Sequence, residues 1–409
     1  MQMFAAHRCS PFSRPLARRK RTAVLCLVLT CVLLDQAGAQ EPSRSSLTDL
    51  TSGIDALVEQ QIKSYNIPGL SIAVAQQGKI VFSRAYGWAD LESKTPVTTE
   101  TLFRIGSITK PISATATMIL AEKNQLALDA PVQRYCSAFP EKPWPVTSRE
   151  LLAHLGGVRA FRSQGGVQAE LFSNTHYERV ADSLSLFAND PLVAQPGTRY
   201  EYSNYGYDLI GCVLEGASGK QFDELLRDII FVPAIMTSTT VDDSTRVVAG
   251  RSRSYTHAKD GSVRNATSID TSNRISAAGL LSTANDLERF ALALESGKLL
   301  PAAAVRQMWT EQTMPDGKRT AYALGWMIHN HNGTSVVAHT GEQPGSSTIL
   351  CILPGQHSSF TILANTDAAG LWKLADKLID VLLGKSLRIH AGEGARQRSE
   401  TNSISDSVL

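Results

Sequence analysis

Apolar residues recur with two different periods along this chain, helical near the start and through the middle, and strand-like in two separate places. Leu50, Ile54, Leu57 and Ile62 mark one face of a helix predicted over Leu47 to Tyr65, and Pro68 and Gly69 close it. Two β-rich runs follow, Leu70 to Ala75 and Ile80 to Tyr86. Gln76, Gln77, Gly78 and Lys79 between them read as a hairpin turn. The middle of the chain is helical in pattern, with segments at Ser148 to His154, Tyr177 to Asn189, Tyr205 to Ala217 and Asn285 to Glu295. Strand character returns in Thr334 to Thr340, Ser346 to Leu353 and Ser358 to Ala364, and a last helix is predicted over Gly370 to Leu383. Strands at both ends with helices between them predict an α+β fold. An antiparallel sheet is built from both termini and flanked by helices, with a mostly helical region inserted.

The first 39 residues follow a different rule. Arg18 to Arg21 precede an apolar run from Ala23 to Leu34, and Ala37, Gly38 and Ala39 follow it, which is the order of an export signal peptide over residues 1–39. The run is about twelve residues long where a membrane-spanning helix needs roughly twenty, so no stable anchor is expected. The globular domain is predicted over 45–387 and a disordered tail over 388–409, whose polar sequence lacks apolar periodicity. The reading places the protein outside the cytoplasm, periplasmic or secreted, by a route that stays open.

Removing the leader changes the charge. Six of the 40 basic residues and one of the 38 acidic residues lie in it, so the remainder carries 34 against 37, a net of −3. Nothing in that balance points to nucleic acid or an anionic surface as a partner. A content of 43% hydrophobic and 19% charged residues suits a globular chain of this length. Of the six cysteines, Cys136, Cys212 and Cys351 lie beyond the leader. Without short paired spacing they read as buried small hydrophobes, with one disulfide possible.

Three short motifs carry chemistry. Phe103 to Ala114 reads FRIGSITKPISA, which places Ser107 and Lys110 three apart on one face at the start of a nearly uncharged helix. Pro111 is tolerated so close to a helix start. A serine hydroxyl there lies among unpaired N–H groups, and a lysine kept neutral by apolar surroundings, here Ile112, Met118, Ile119 and Leu120, can take its proton. Tyr202, Ser203 and Asn204 precede another helical pattern. A tyrosine can shuttle a proton if an ammonium lowers its pKa, and an amide can hold both that lysine and a substrate carbonyl. His339, Thr340 and Gly341 end an apolar strand, where Gly341 would admit a substrate backbone at a sheet edge. Alone, Ser-x-x-Lys and Tyr-x-Asn are common by chance; His-Thr-Gly is rarer.

In this order and at these separations, SITK, YSN and HTG resemble the serine β-lactamase and penicillin-binding protein superfamily, in its class C-like and esterase-like branch. The resemblance runs over about residues 50 to 385. IPGLSIAVAQQGKIVFSRAYGWAD, LLAHLGGVRAF, PGTRYEYSNYGYDLIG and AAGLLSTANDLERF support it. LALDAPVQRYCSAFPEK is similar to the mitochondrial β-lactamase-like serine peptidases and their bacterial relatives. The resemblance implies an acyl-enzyme mechanism without a cofactor or metal. Ser107 would attack a carbonyl, and Lys110 and Tyr202 would move protons. Asn204 would orient Lys110 and substrate, and the backbone N–H groups of Ser107 and Glu342 would form the oxyanion hole. His339, Thr340 and Gly341 would complete the substrate site. His339 replaces the lysine usual in β-lactam-hydrolysing members, so a cation for a substrate carboxylate is absent or pH-dependent. YSN in place of SDN shifts deacylation to Tyr202.

These features predict an exported serine hydrolase of small-molecule or peptide substrates, peptidase- or esterase-like. The alternatives are a β-lactamase or D-amino-acid carboxypeptidase, a covalent penicillin-binding receptor without turnover, or a scaffold. Two histidine patterns compete weakly. His329 and His331 before the Asn332–Gly333 turn read as a hairpin tip rather than a metal site, and His154 reads as structural rather than as a triad base.

Overall fold

In a computed structural model, which describes residues 44–164 and 167–385, helix α1 (Arg44–Tyr65) leads into strand β1 (Gly69–Gln76). A two-residue turn returns the chain through β2 (Lys79–Asp90), and β3 (Thr95–Pro96) pairs with its end. Gln77 and Gly78 take φ of 49° and 78°, the left-handed pair that a tight hairpin requires. The helical region follows, with α2 (Thr109–Glu122), α3 (Asn204–Ser218) and α4 (Ala284–Glu295) as its longest helices. The chain then re-enters the sheet through β4 (Met327–His331), β5 (Thr334–Gln343), β6 (Ser346–Leu353) and β7 (Ser358–Ala364), and α5 (Leu371–Leu382) closes the described part.

The sheet has seven strands in the order β4-β5-β6-β7-β1-β2-β3, every neighbour antiparallel. Its first and last segments meet at the centre, where Ile72 lies opposite Ile362. This is the α+β arrangement that the change of period predicts. Helices α1 and α5 cover one face through Ile54, Leu57, Leu374 and Leu378, and the inserted helical region covers the other. The proposed leader and tail lie outside the described residues.

Three local readings differ from the structure. Tyr177 to Asn189 is helical only over Val180–Ser183, with a 3-10 turn at Leu184–Leu186. The backbone before it is drawn elsewhere: the Tyr177 N–H donates to Ser272 Oγ at 2.9 Å. Met327–His331 is an edge strand whose ladder is formed with β5, which explains why its polar residues obscure strand periodicity. Cys136 and Cys212 are not separate small hydrophobes; they form a disulfide that ties the turn at Val132–Arg134 to α3, while Cys351 is free and buried. Their 76-residue separation hides the pairing in the sequence.

Candidate active site

Two glycines bring the SITK turn onto strand β5. At Gly106, φ is +52°, and a Cβ would come within 3.1 Å of Glu342 N and of the Gly341 backbone. At Gly341, a Cβ would sit 2.0 Å from the Ile105 carbonyl oxygen. The close approach expected of Gly341 is therefore to the protein's own turn. Thr348 Oγ1 pins that junction by donating to the Ile105 carbonyl at 2.8 Å and lying 3.2 Å from the Gly341 carbonyl. The pairing of β4 with β5 ends at Ala338, so Thr340 to Glu342 lie beyond the end of β4, beside Ser107's turn.

Ser107 occupies a 3-10 turn, Gly106–Ile108, that runs directly into α2. Lys110 is the second residue of α2, and Pro111 falls where its missing N–H leaves no bond unmade. The Lys110 amine is fully buried. It contacts Ser107 Oγ at 2.9 Å, Asn204 Oδ1 at 2.7 Å and the Ala277 carbonyl at 3.2 Å, and it lies 4.7 Å from the centre of the Tyr202 ring. Its surroundings are thus two tyrosine rings, an amide and a carbonyl, rather than Ile112, Met118, Ile119 and Leu120 from its own helix. Burial holds the amine well below the usual lysine range; Asp208 pulls it upward and Arg274 pushes it down further. A neutral amine has two N–H groups and one lone pair. The carbonyl oxygens of Asn204 and Ala277 take the two N–H groups, so the lone pair meets the Ser107 hydroxyl, which donates.

The YSN segment is positioned by helix capping. Ser203 is the N-cap of α3: its hydroxyl accepts from Gly206 N–H at 2.9 Å and donates to the Arg159 carbonyl at 2.6 Å. Asn204 is thereby the first helical residue, and Tyr202 lies just outside. His154, at φ +57°, holds this loop from below. Its Nδ1 accepts the Ser203 N–H at 3.1 Å, and its ring lies 4.2 Å from that of Tyr202. With Nδ1 so used, His154 is a positioning group rather than a triad base. The Tyr202 hydroxyl is buried and faces Ser107 without closing a hydrogen bond to it. The expected lowering of the phenol does not occur. Burial pushes it up, with the Ser107 hydroxyl acting the other way, so Tyr202 keeps its proton.

His339 departs most from its sequence reading. It is 1% exposed, and both ring nitrogens are engaged: Nδ1 donates to the Thr340 carbonyl at 2.6 Å, and Nε2 accepts from the Tyr322 hydroxyl at 2.8 Å. Burial, then the nearby Lys110, lower its pKa to about 3. Buried and hydrogen-bonded at both nitrogens, it is not a cation that switches near neutral pH. Its effect is transmitted through β5 instead. Thr340 is partly exposed, and Glu342 offers its N–H beside Gly106. Burial raises the Glu342 carboxyl to about 8, opposed by a hydrogen bond from Ser347.

The paired histidines of the β4–β5 hairpin lie elsewhere. His331 contacts Asp380 at 3.0 Å and Asp376 at 3.3 Å, and His329 packs on Trp372. Among the described residues, no group of three or more His, Cys, Asp or Glu side chains is placed to hold a metal ion. The residues that sequence reasoning passes over are Tyr322, Asp208, Arg274 and Ala277. Only the i, i+4 spacing of Asn204 and Asp208 hints at any of them.

Comparison with known proteins gives the family and the fold. The family model described as Beta-lactamase matches residues 54–383. The human serine beta-lactamase-like protein LACTB, mitochondrial, is 28% identical over 385 aligned residues, covering 72% of this chain and 70% of the relative. Penicillin-binding protein 4* of Bacillus subtilis is 26% identical over 315, covering 73% and 68%. Among solved structures, the octameric penicillin-binding protein homologue from Pyrococcus abyssi superposes with a TM-score of 0.71 at 25% identity, over 82% of this chain and 78% of the other. The D-amino acid amidase from Ochrobactrum anthropi complexed with L-phenylalanine amide gives 0.70 at 25% identity, over 82% and 99%.

Proposed function

We propose that this chain, which belongs to the beta-lactamase family, cleaves amide or ester bonds of small-molecule or peptide substrates through an acyl-Ser107 intermediate. The observation that carries the reading is the buried Lys110 amine between Ser107 Oγ and Asn204 Oδ1, which forms no ion pair among the described residues. As Ser107 Oγ bonds to the substrate carbonyl carbon, its proton passes to Lys110 Nζ. The oxyanion is held by the N–H groups of Ser107 and Glu342, and each such donor contributes about 2.7 to 4 kcal/mol to the transition state. Lys110, now an ammonium, returns the proton to the leaving amine or alkoxide, directly or through the Tyr202 hydroxyl. Water then repeats the sequence on the acyl-enzyme with the proton moving the other way.

A peptidase or esterase role is favoured over β-lactam hydrolysis because His339 offers no charge to a substrate carboxylate. Thr340 and the β5 edge are left to align the substrate. Export is supported by the leader-like pattern of residues 1–39 and by the Cys136–Cys212 disulfide, a bond that persists in oxidising compartments.

The test is labelling with a fluorescent fluorophosphonate, followed by turnover of a chromogenic ester, a peptide anilide and a cephalosporin, each with Ser107→Ala as control. Labelling at Ser107 and ester or peptide turnover, both abolished in Ser107→Ala, are expected. Labelling without turnover of any substrate would indicate a covalent receptor, and turnover that survives Ser107→Ala would remove the nucleophile from the reading.

A further inference from the structure

Strand β5 runs on past the end of β4, and the turns at its two ends fix which of its backbone groups face outward there. Around a two-residue turn the flanking pair exchanges both backbone hydrogen bonds, and outward and inward residues then alternate. His331 and Thr334 flank Asn332–Gly333, so Thr334, Val336 and Ala338 turn their N–H and C=O groups to β4. Gln343 and Ser346 flank Pro344–Gly345, so Gln343, Gly341 and His339 turn theirs to β6. Both turns therefore leave Thr340 and Glu342 facing an open edge, since β4 begins at Met327, opposite Ala338. Glu342 N lies beside Gly106 in the turn that carries Ser107. The Thr340 carbonyl is already engaged. His339 Nδ1 donates to it at 2.6 Å, and the imidazole is held in place by the Tyr322 hydroxyl, which donates to Nε2 at 2.8 Å. Among the described residues, no side chain caps the Glu342 carbonyl in this way.

We propose that His339 is a specificity-determining residue: by capping the Thr340 carbonyl it restricts the leaving group to a single unit, a simple alcohol, an amine or one terminal residue, and disfavours cleavage inside a longer chain. The inference rests on the proposed function, in which Glu342 N–H receives the carbonyl oxygen of the bond to be cleaved. A substrate residue that also gives its own N–H to the Glu342 carbonyl adds to the sheet edge as an antiparallel partner, because in a parallel pair the two groups of one residue bond two different residues. Every existing neighbour in the sheet is paired the same way. Laid antiparallel on β5, a substrate sends its acyl side toward the Pro344–Gly345 turn and its leaving side toward Thr340. The residue opposite Thr340 is then the second beyond the cleaved bond, and its N–H meets a carbonyl that the imidazole has taken. An N–H withdrawn from water without an acceptor costs binding. One rung further along, Met327 occupies the edge, so a longer leaving chain has to turn away from the sheet. His339 acts here through a hydrogen bond and needs no charge.

Two depsipeptides isolate that single N–H: acetylphenylalanyl-lactate closed as its methyl ester and as its N-methylamide, which differ by an oxygen or an N–H at the second position of the leaving side. Release of acetylphenylalanine by the whole protein is followed by chromatography, in the D and L series. In the parent the N-methylamide is cleaved no better than the methyl ester in kcat/KM. His339→Leu together with Tyr322→Phe frees the Thr340 carbonyl without stranding a hydroxyl, and the ratio of N-methylamide to methyl ester rises about three- to tenfold, the effect of one hydrogen bond. Tyr322→Phe alone keeps the Nδ1 donor and with it the parent's ratio. A side chain that only supports packing would change both rates together and leave the ratio where it was. The proposal is overturned by a parent that prefers the N-methylamide about threefold or more, by a double variant with the parent's ratio, or by a Tyr322→Phe protein whose ratio moves as far as the double variant's. If the double variant fails to fold, the parent's ratio decides. Where turnover is too slow to follow, protection of Ser107 against fluorophosphonate labelling gives the same ratio, and a labelled protein that neither compound protects overturns the inference equally. A parent protein that is not labelled at Ser107 would instead bring down the proposed function.

Discussion

Against α1 and α5, the central strands bury Ile72, Val74, Val336, Ala338, Phe360 and Ile362, side chains with no polar atom. The alternate residues of the same strands, turned toward the inserted helical region, include His339, Ser359 and Thr361, and they meet Tyr322 and Glu288 there. Both faces are almost wholly dry. One withdraws apolar surface from water, and the other spends part of that stabilisation on holding polar groups in fixed protonation states. Burial alone therefore does not distinguish core from machinery in this fold. What distinguishes them is whether a buried polar atom is matched by partners that neutralise it or by partners that leave it reactive.

The sharpest way to break this comparison is to truncate one buried side chain on each face. Lys110→Met removes the proposed proton acceptor and lowers Ser107 labelling by about 10²- to 10⁴-fold. Because a buried amine no longer has to be desolvated, while Asn204 and the Ala277 carbonyl lose a donor, stability changes by less than about 2 kcal/mol. Phe360→Ala does the reverse: it leaves a cavity that lowers stability by about 3 to 5 kcal/mol, with the labelling rate of the folded fraction unchanged. Urea melts beside labelling rates measure both. A destabilised Lys110→Met, or a slow but folded Phe360→Ala, would mean that the two faces do not divide the work this way.

A smaller effect is expected at Gly341, where the faces meet the edge of the sheet. In Gly341→Ala the new methyl meets the Ile105 carbonyl, so the turn carrying Ser107 must shift relative to Glu342 N–H. Misplacing one donor predicts a loss of about 10²- to 10³-fold in turnover of a chromogenic ester. Binding of a non-reactive substrate analogue should weaken much less, since the donors act chiefly on the developing oxyanion. Equal losses in KM and kcat would instead make Gly341 a substrate contact.

The parts of this site that local spacing encodes were legible, and those that need a partner from far along the chain were not. Ser107 and Lys110 share a face by virtue of helical geometry alone, and the α3 start is announced by Ser203 in front of an apolar run. Gly341 stands out in the sequence for its missing side chain, yet the carbonyl that requires it belongs to Ile105, more than 200 residues earlier. His339 looked like a weak cation because nothing in HTG reveals the Tyr322 hydroxyl opposite it. Nothing in the sequence singles out Asp208 and Arg274, whose burial follows from the packing of α3 on the segment before Leu280. Strand character is legible where apolar and β-branched residues dominate, as in β1, β2 and β6, and is obscured at β4 by His329, Asn330 and His331.

The mildest expected effect comes from Glu288, the buried carboxyl on the reactive face. It accepts from Ser359 Oγ at 2.5 Å and Thr361 Oγ1 at 2.6 Å, and burial raises it to about 8. In the unfolded chain a glutamate releases its proton near pH 4.3. Between these values the folded protein keeps a proton that the unfolded chain has lost, so the contribution of Glu288 to stability is full at the acid end, declines as pH rises and is gone above about pH 8. The slope is at most about 1.4 kcal/mol per pH unit. Glu288→Gln retains an oxygen acceptor and has no proton to lose, which removes this slope while leaving every other titrating group in place. Urea melts of parent and variant at pH 5 and pH 7.5 should therefore diverge by up to about 3 kcal/mol, the variant gaining relative stability at the higher pH. Curves that stay parallel would mean that Glu288 is ionised within the sheet, and that this face tolerates a bare charge rather than suppressing it.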